Sequence, residues 1–454
     1  MGRRRFASAL ALIALAGLGW RVGYTLAATR HQPGPVVSLE RPEGPPPRAV
    51  VRRSFDEIYY VRSAVLMTEG KPFTKPFPPD GENEAVHPPL THVVLAPVAY
   101  LTDDSEMAMR FTAALAGTTA VVLIGLTGRQ VAGSRAGLVA AGLAAAYPNL
   151  WMHDGLVMSE SFSAATTAAA IWSTYRLVSR PTWTRAAGVG VVCGLAALTR
   201  SELLLLVPMV AMPAVWVAAS ALSRRRRAAT IAVVVAATAL TIAPWIAYNL
   251  SRFEEPVLIS YGDGPTLKGA NCDETFSGPA IGYWDGYCAA ADDPVEPSVD
   301  AAVQRQQALR YMADHADRVP LVVAARVGRV WGAYKPMAML EEYQAEGKPL
   351  WASVPGWVAS WVLVPFAVYG AVVLRRRSMT IIPLVGVVLI VTVVAAAFYG
   401  LLRNRVPAEV VLVLLAAVGI NAVLERFWTR QGKGDEPERP RGLTSRAQAP
   451  KFSQ

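Results

Sequence analysis

Two adjacent acidic residues, Asp56 and Glu57, lie among aromatic residues in the sequence Phe-Asp-Glu-Ile-Tyr-Tyr at residues 55–60. A carboxylate can deprotonate an attacking hydroxyl group when the acceptor comes within hydrogen-bonding distance. The neighbouring Tyr60 is a candidate substrate-binding residue of the same segment. The two acids could also simply begin a helix, where negative charge is favoured by the helix dipole. The segment is therefore a candidate catalytic site if the chain turns it toward a substrate.

Arginines follow further along the chain at positions that could meet an anion, including Arg200, Arg252, Arg403 and Arg405. A planar guanidinium group can donate two parallel hydrogen bonds to a phosphate. Acids and arginines together favour sugar transfer from a lipid phosphate. The leaving phosphate is already a stable anion, so one base and cationic stabilisation of that phosphate would suffice.

The composition predicts an all-α polytopic membrane protein. Of the 454 residues, 53% are hydrophobic and only 17% are charged, whereas a soluble protein has about 25% charged residues. Several apolar runs approach the ~20 residues that cross a bilayer as a helix. A membrane β-barrel would instead show short segments of alternating hydrophobicity.

The apolar runs predict about ten membrane spans. We expect the first, within residues 1–28, to be retained, because Arg21 interrupts what would be the apolar core of a cleaved signal peptide. Ala27-Ala28 leaves cleavage as the alternative. The other predicted spans are residues 107–128, 136–151, 160–175, 186–199, 203–222, 229–248, 351–374, 378–399 and 407–425.

Basic residues fall in alternate connections between these spans, for example at Arg224 to Arg227 and Arg375 to Arg377. Membrane proteins retain such loops in the cytoplasm, so this distribution of the net charge of +10 favours membrane anchoring and argues against nucleic-acid binding. The predicted topology places two long polar segments, residues 29–106 and 249–350, outside the cytoplasm. It makes residues 1–430 one transmembrane domain and residues 431–454 a disordered cytoplasmic tail.

Each external segment has a distinctive element. In the first, Ser54 could cap a helix that reaches Glu69, and the apolar run ending at Leu101 is too short for a span, so we interpret it as an interfacial helix. In the second, Cys272 and Cys288 flank a Gly- and aromatic-rich sequence, and outside the cytoplasm such a pair predicts a disulfide. The third cysteine, Cys193, lies in an apolar span and is expected to be a buried small residue.

With this topology, the ionisable residues outside the basic loops gather at the outer ends of spans. Any single one could be an interfacial residue whose charge reaches water, but burying so many charges is costly unless they pair or meet a charged ligand. The group indicates a site at the outer face of the membrane. Its members are Asp56, Glu57, His87, Arg110, Asp154, Glu160, Arg200, Glu202, Arg252, Arg403, Arg405 and Glu409.

The motifs, in this order, resemble a known family. Asp-Glu-x-x-Tyr in the first external segment and the following His87-Pro-Pro-Leu resemble the C-type glycosyltransferase (GT-C) fold, in the branch that includes the protein O-mannosyltransferases and the lipid A aminoarabinose transferases. Further matches are Met158-Ser159-Glu160, Leu198-Thr199-Arg200 and Pro244-Trp245. The resemblance covers most of residues 1–425.

The resemblance implies roles for several residues. The first-loop aspartate of the family is the catalytic base, which is Asp56 here, with Glu57 supporting it or binding the acceptor. His87 stands where the aminoarabinose transferases have a phosphate-binding lysine. The family's arginine after Pro-Trp is replaced by Tyr248, so Arg252 is the candidate substitute. Arg403 and Arg405, in Arg-Asn-Arg-Val-Pro, resemble the basic motif before the last span, and Glu160 and Arg200 are further candidate binding residues.

The leading hypothesis is therefore an inverting glycosyltransferase of the plasma membrane, with its active site on the extracytoplasmic side. It would move a hexosyl or pentosyl group from a polyprenyl-phosphate donor to a cell-envelope glycan, lipid or protein. The alternative is a lipid-linked sugar transporter or flippase, for which functional polar residues near the middle of the membrane would be expected. A non-catalytic scaffold for envelope assembly is the third hypothesis.

The sequence names no cofactor. It contains neither His-Glu-x-x-His nor Cys-x-x-Cys, so nothing predicts a zinc site. A divalent cation held by Asp56, Glu57 or Glu160 remains an open alternative. No Gly-x-x-x-x-Gly-Lys motif is present, which argues against ATP-driven transport.

Overall fold

The computed structural model describes residues 2–30, 55–77, 81–219, 222–290 and 296–434. Regular structure in these ranges is helical, apart from one isolated bridge between Thr74 and Asn83. The predicted all-α class is confirmed. Ser54, the proposed cap of the first external helix, lies outside the described residues, as does the predicted tail from residue 435 onward.

The α-helices of the first half of the chain are α1 (Arg3–Arg30), α2 (Phe55–Thr68), α3 (Leu90–Leu101), α4 (Glu106–Ala132), α5 (Ser134–Ala146), α6 (Pro148–Trp151), α7 (Glu160–Ser179), α8 (Trp183–Thr199) and α9 (Met212–Ala218). Those of the second half are α10 (Arg224–Leu250), α11 (Asp263–Ala270), α12 (Asp273–Phe276), α13 (Pro297–Asp314), α14 (Val319–Val330), α15 (Pro336–Ala345), α16 (Leu350–Arg376), α17 (Ile382–Ala397) and α18 (Val406–Gly434). Short 3₁₀ turns cover Met152–Gly155, Ser201–Leu205 and Leu402–Arg405, and a π-helical turn covers Val207–Ala211.

In the described part of the chain, six helical segments are long and apolar enough to cross a membrane. They are Arg3–Ala28, Glu106–Ala132, Ser201–Ala218, Arg224–Leu250, Leu350–Arg376 and Leu402–Phe427. The other four predicted spans also fall on helices, namely α5, α7, α8 and α17. A polytopic helical membrane protein is confirmed, while the count of ten spans and the interfacial position of α3 stay predictions.

The helices pack through small residues. Gly370 in α16 faces the backbone carbonyl of Leu415 in α18, and Gly419 in α18 faces the carbonyl of Phe366 in α16. A Cβ atom at either glycine would overlap the opposing backbone. Small residues at such contacts let two helices approach closely in a membrane, where packing rather than the hydrophobic effect holds them together.

Two buried arginines of α14 hold separate parts of the second polar segment together. Arg326 donates to the Ala270 carbonyl at 2.7 Å and to Asn271 Oδ1 at 2.9 Å, while Arg329 donates to the Ile281 carbonyl at 2.6 Å. Backbone carbonyls that would otherwise lack partners are satisfied in this way. Helices α13 and α14 are separated by a short break just before Pro320, which lies in the first turn of α14.

Cys272 and Cys288 are joined in a disulfide with a Cα–Cα distance of 6.4 Å, and Cys193 is free and buried. The disulfide closes the turn that contains α12. The two arginines of α14 hold this turn from both sides, because Arg326 binds Asn271 before α12 and Arg329 binds the Ile281 carbonyl after it.

Replacing both disulfide cysteines, Cys272→Ser with Cys288→Ser, should destabilise the folded protein. For a sequence separation of 16, the unfolded chain gains entropy worth about 3 kcal/mol. Thermal unfolding in detergent micelles would show a lower midpoint, whereas the control Cys193→Ala should change the midpoint much less. Equal midpoints for the double variant and the unmodified protein would contradict this expectation.

Candidate active site

The Asp56 carboxylate pairs with Arg403, a residue more than 300 positions away in the chain. Arg403 Nη1 lies 2.6 Å from Asp56 Oδ2, and His87 Nε2 lies 3.6 Å from Asp56 Oδ1. Asp56 is in the first turn of α2, and Arg403 is in the 3₁₀ turn that precedes α18. Burial by itself would raise the pKa of the Asp56 carboxyl, but Arg403 and His87 outweigh it and hold that pKa well below its usual range. Asp56 is therefore an ionised carboxylate with a cation directly against it.

Arg403 also approaches two further acids. Its Nη1 lies 3.3 Å from Glu346 Oε1, and its Nε lies 4.0 Å from Glu160 Oε1. Glu160 is the first residue of α7 and is buried, and Asp56 and Arg403 keep part of their surface exposed, 22% and 14% of the side chain. One guanidinium thus connects three carboxylates from distant parts of the chain.

Arg200 extends this group from the end of α8. Its Nη1 lies 3.5 Å from Glu160 Oε1, its Nε donates to Glu202 Oε1 at 2.6 Å, and its Nη2 donates to Asn404 Oδ1 at 3.1 Å. Because Asn404 directly follows Arg403 in the chain, this hydrogen bond places Arg200 and Arg403 in the same group of charges. We call this set the Arg403 cluster; it comprises Asp56, His87, Glu160, Arg200, Glu202, Glu346, Lys348 and Arg403.

Glu346 and Lys348 were missed by the sequence analysis. They lie in the short connection between α15 and α16, and Lys348 Nζ donates a hydrogen bond to Glu346 Oε2. Lys348 is also placed over the ring of Tyr343, with Nζ 4.3 Å from its centroid. A signal for them exists in the sequence, because Glu-Gly-Lys-Pro stands directly before an apolar run, the same boundary position that identified the other members.

His153 is a second residue that sequence reasoning missed. It lies in the 3₁₀ turn Met152–Gly155 with 2% of its surface exposed, and among the described residues neither ring nitrogen has a hydrogen-bond partner. Burial, followed by the nearby charges of Lys348 and Arg403, lowers its pKa well below the usual range. The ring is therefore neutral and offers one donor and one acceptor nitrogen, both buried.

Tyr60 packs against His87, the histidine that contacts Asp56. The Tyr60 and His87 rings are stacked with centroids 5.3 Å apart and an interplanar angle of 28°. Burial raises the pKa of the Tyr60 hydroxyl, and the charge of Asp56 raises it further. Tyr60 is thus a neutral hydroxyl beside the cluster.

Three predicted site residues are engaged elsewhere. Glu57 is fully buried and pairs with Arg110 at 2.9 Å, and it also accepts from the Val157 backbone N–H at 3.2 Å. Arg252 donates to the carbonyls of Phe73 and Glu84 at 2.8 and 2.7 Å. Arg405 pairs with Glu409 at 2.6 Å. In the described chain these contacts fix helices and loops next to the cluster, and the predicted substrate roles of Glu57, Arg252 and Arg405 gain no geometric support.

Asp56 and Glu160, two acids that could hold a divalent cation, both lie within 4.0 Å of the Arg403 guanidinium. In the described residues, no third His, Cys, Asp or Glu brings a ligand atom within 4.8 Å of both; the one such group found is Cys272, Glu274 and Cys288, whose cysteines form the disulfide. The residues present therefore fit an ion-pair site better than a metal site.

Comparisons with known proteins place this geometry in context. Residues 86–248 match the family model described as dolichyl-phosphate-mannose-protein mannosyltransferase. Among solved structures, the oligosaccharyltransferase of Archaeoglobus fulgidus tethered with an acceptor peptide superposes with a TM-score of 0.55 at 14% identity, over 96% of this chain and 51% of that one. The chain has the GT-C glycosyltransferase fold. The predicted resemblance is thereby confirmed.

The archaeal oligosaccharyltransferase AglB from Archaeoglobus fulgidus, in complex with an inhibitory peptide and a dolichol-phosphate, gives a TM-score of 0.52 at 14% identity, over 95% of this chain and 52% of that one. The present GT-C chain spans about half the length of AglB. ArnT from Cupriavidus metallidurans bound to undecaprenyl phosphate matches with a TM-score of 0.43 at 14% identity, over 96% of this chain and 82% of that one. No match was found among curated proteins.

The family match and the cluster overlap only in part. His87, Glu160 and Arg200 lie within residues 86–248, whereas Asp56 precedes that range and Arg403 follows it. The GT-C fold of this chain therefore assembles its charge cluster from both matched and unmatched segments.

Replacing Glu57 should lower the stability of the folded protein. Glu57→Gln removes the negative partner of the buried Arg110, and breaking a buried ion pair in this way costs about 3 kcal/mol or more. The thermal unfolding midpoint in detergent micelles should fall clearly. The control is Glu69→Gln, an exposed acid just beyond the end of α2, which should leave the midpoint nearly unchanged. If both variants unfold at the temperature of the unmodified protein, the Glu57–Arg110 pair does not anchor α2.

Proposed function

We propose that this chain is an inverting glycosyltransferase that moves a sugar from a polyprenyl-phosphate donor to an acceptor hydroxyl in the cell envelope. The observation that carries the proposal is the contact between the ionised Asp56 carboxylate and Arg403, inside the larger group of charges described above. A base and a phosphate-binding cation side by side are what the reaction requires. The GT-C fold supports the same reaction class.

In the proposed reaction, the acceptor hydroxyl attacks the anomeric carbon of the donor sugar while Asp56 takes the hydroxyl proton. The bond from the anomeric carbon to the acceptor oxygen forms as the bond to the phosphate oxygen breaks, and the electron pair of that bond leaves with the polyprenyl phosphate. Attack on the face opposite the phosphate inverts the anomeric configuration. Arginine side chains stabilise the charge that develops on the departing phosphate.

The direction of the helices supports a site on the extracytoplasmic side of the membrane, which we propose to be the plasma membrane. Helix α7 begins at Glu160 and carries Arg176 in its last turn. Helix α16 begins next to Lys348 and carries Arg375 and Arg376 in its last turn. The basic loops and the Arg403 cluster are thus at opposite ends of the same helices. Since basic loops stay in the cytoplasm, the cluster would face outward, toward a glycan, lipid or protein acceptor.

Transfer should depend on Asp56. The unmodified protein, purified in detergent and given a panel of labelled polyprenyl-phosphate sugars with envelope acceptors, should form a labelled product. Asp56→Asn should lower the turnover rate by about 10²- to 10⁴-fold, the usual contribution of a general base. The amide keeps the shape of the carboxylate but cannot accept the acceptor proton.

The control for this experiment is Asp263→Asn, which removes a partly exposed carboxylate of α11 that pairs with Arg305 of α13 at 2.7 Å. This variant should turn over at the unmodified rate. Transfer by Asp56→Asn at the same rate as the control would rule out Asp56 as the base. A lack of transfer by the unmodified protein with every donor of the panel would count against the proposed function itself.

A further inference from the structure

We propose that Lys348 and Arg403 bind the phosphate of the lipid donor, and that Glu346 occupies this place as an internal anion until the donor displaces it. The inference rests on the proposed function and assigns the donor phosphate to residues that no comparison identifies. It also gives Glu346 a regulatory role, because its carboxylate and the donor compete for the same two cations.

The contacts of Glu346 are those that a phosphate would make. One carboxylate oxygen accepts a hydrogen bond from Lys348 Nζ, and the other lies 3.3 Å from Arg403 Nη1. Two oxygens of one anion therefore bridge two cations from separate segments of the chain. Phosphate oxygens accept charge-assisted hydrogen bonds from lysine and arginine in the same manner.

Lys348 is difficult to explain as a purely structural residue. Its side chain has no exposed surface, and Glu346, two residues earlier, is its ion-pair partner. A buried pair of this kind contributes little to stability once the loss of hydration is included. The Tyr343 ring adds a cation–π contact to the ammonium group. Together these contacts keep a desolvated cation in place, which is the condition under which it binds an anion strongly.

Buried polar atoms next to these cations lack partners in the described structure. Both ring nitrogens of His153 make no hydrogen bond there, and neither does Nε of Arg403, whose nearest carboxylate oxygen, Glu160 Oε1, lies 4.0 Å away. Buried polar groups in native proteins are nearly always hydrogen-bonded. A phosphodiester with its sugar carries enough oxygen atoms to serve the guanidinium and the imidazole at once.

The connection that carries Glu346 allows the exchange. Gly347 adopts a φ of 90°, in the left-handed region that favours glycine. The backbone of the turn is fixed by hydrogen bonds from Glu346 N to the Glu342 carbonyl and from Lys348 N to the Tyr343 carbonyl, at 2.9 and 2.8 Å. Rotation of the Glu346 side chain alone would therefore free the site while Lys348 stays in position. Replacing one singly charged anion by another leaves the charge of the cluster unchanged.

The test measures binding of farnesyl phosphate and, separately, of inorganic phosphate to the purified full-length protein in detergent by isothermal titration calorimetry. Lys348→Met should weaken farnesyl phosphate binding by about tenfold or more, the loss of one charge-assisted hydrogen bond. Lys348→Arg keeps the charge and should restore most of the affinity. Glu346→Gln should bind more tightly than the unmodified protein, because the competing carboxylate is gone.

Two exposed residues provide matched controls, Glu341→Gln on α15 and Lys71→Met shortly after the end of α2, and neither should change binding. If Lys348→Met does not fold, the combined variant Lys348→Met with Glu346→Gln takes its place and should bind more weakly than Glu346→Gln alone.

The outcomes separate the two proposals. Farnesyl phosphate binding that is unaffected by Lys348→Met, or that fails to tighten in Glu346→Gln, overturns the present inference and leaves the proposed function standing. Binding of inorganic phosphate without farnesyl phosphate overturns the assignment to a lipid donor. If the unmodified protein binds neither probe, the polyprenyl-phosphate donor of the proposed function fails as well.

Discussion

The ion pair between Asp56 and Arg403 is the contact on which the proposed site depends. It joins the first turn of α2 to the turn before α18 and so connects an early and a late segment of the described chain. Because Arg403 also approaches Glu160 and Glu346, its position decides where three carboxylates stand. A guanidinium suits this task, since its five donors lie in one plane and can serve several acceptors at once.

Other buried ion pairs form the frame around this contact. Glu57 with Arg110 holds α2 against α4, Arg21 with Asp154 holds α1 against the turn Met152–Gly155, and Arg405 with Glu409 holds the start of α18. In each of these pairs the carboxylate and the cation are almost completely buried. Removing one partner from such a pair leaves an uncompensated charge, so these helix ends are fixed. The Arg403 cluster differs because one cation is shared among several acids, which allows its partners to change.

Much of the fold could be predicted from the sequence, because long apolar runs and the placement of basic loops are one-dimensional features. The same features predicted that Asp56, Glu160, Arg200 and Arg403 lie on one side of the membrane, since all four stand at the same ends of predicted spans or in outer loops. The direction of individual side chains could not be predicted in this way. Successive residues of a helix point about 100° apart, so Glu57 faces Arg110 although it follows Asp56 directly.

The same limit explains Arg405, Lys348 and His153. Arg405 is two residues from Arg403 but pairs with Glu409 one turn further along α18. Lys348 and His153 lie in short connections whose conformation is set by tertiary contacts and not by a repeating pattern.

In the proposed exchange of Glu346 for the donor phosphate, the sharing of Arg403 couples donor binding to catalysis. If the donor phosphate holds Arg403 more strongly than Glu346 does, the contact that keeps the pKa of the Asp56 carboxyl low is weakened, and the carboxylate becomes a stronger base when the donor is bound. Linkage makes the effect reciprocal: protonation of Asp56 would release Arg403 and tighten the hold on the phosphate. The base would then gain strength where the sugar is present to be transferred.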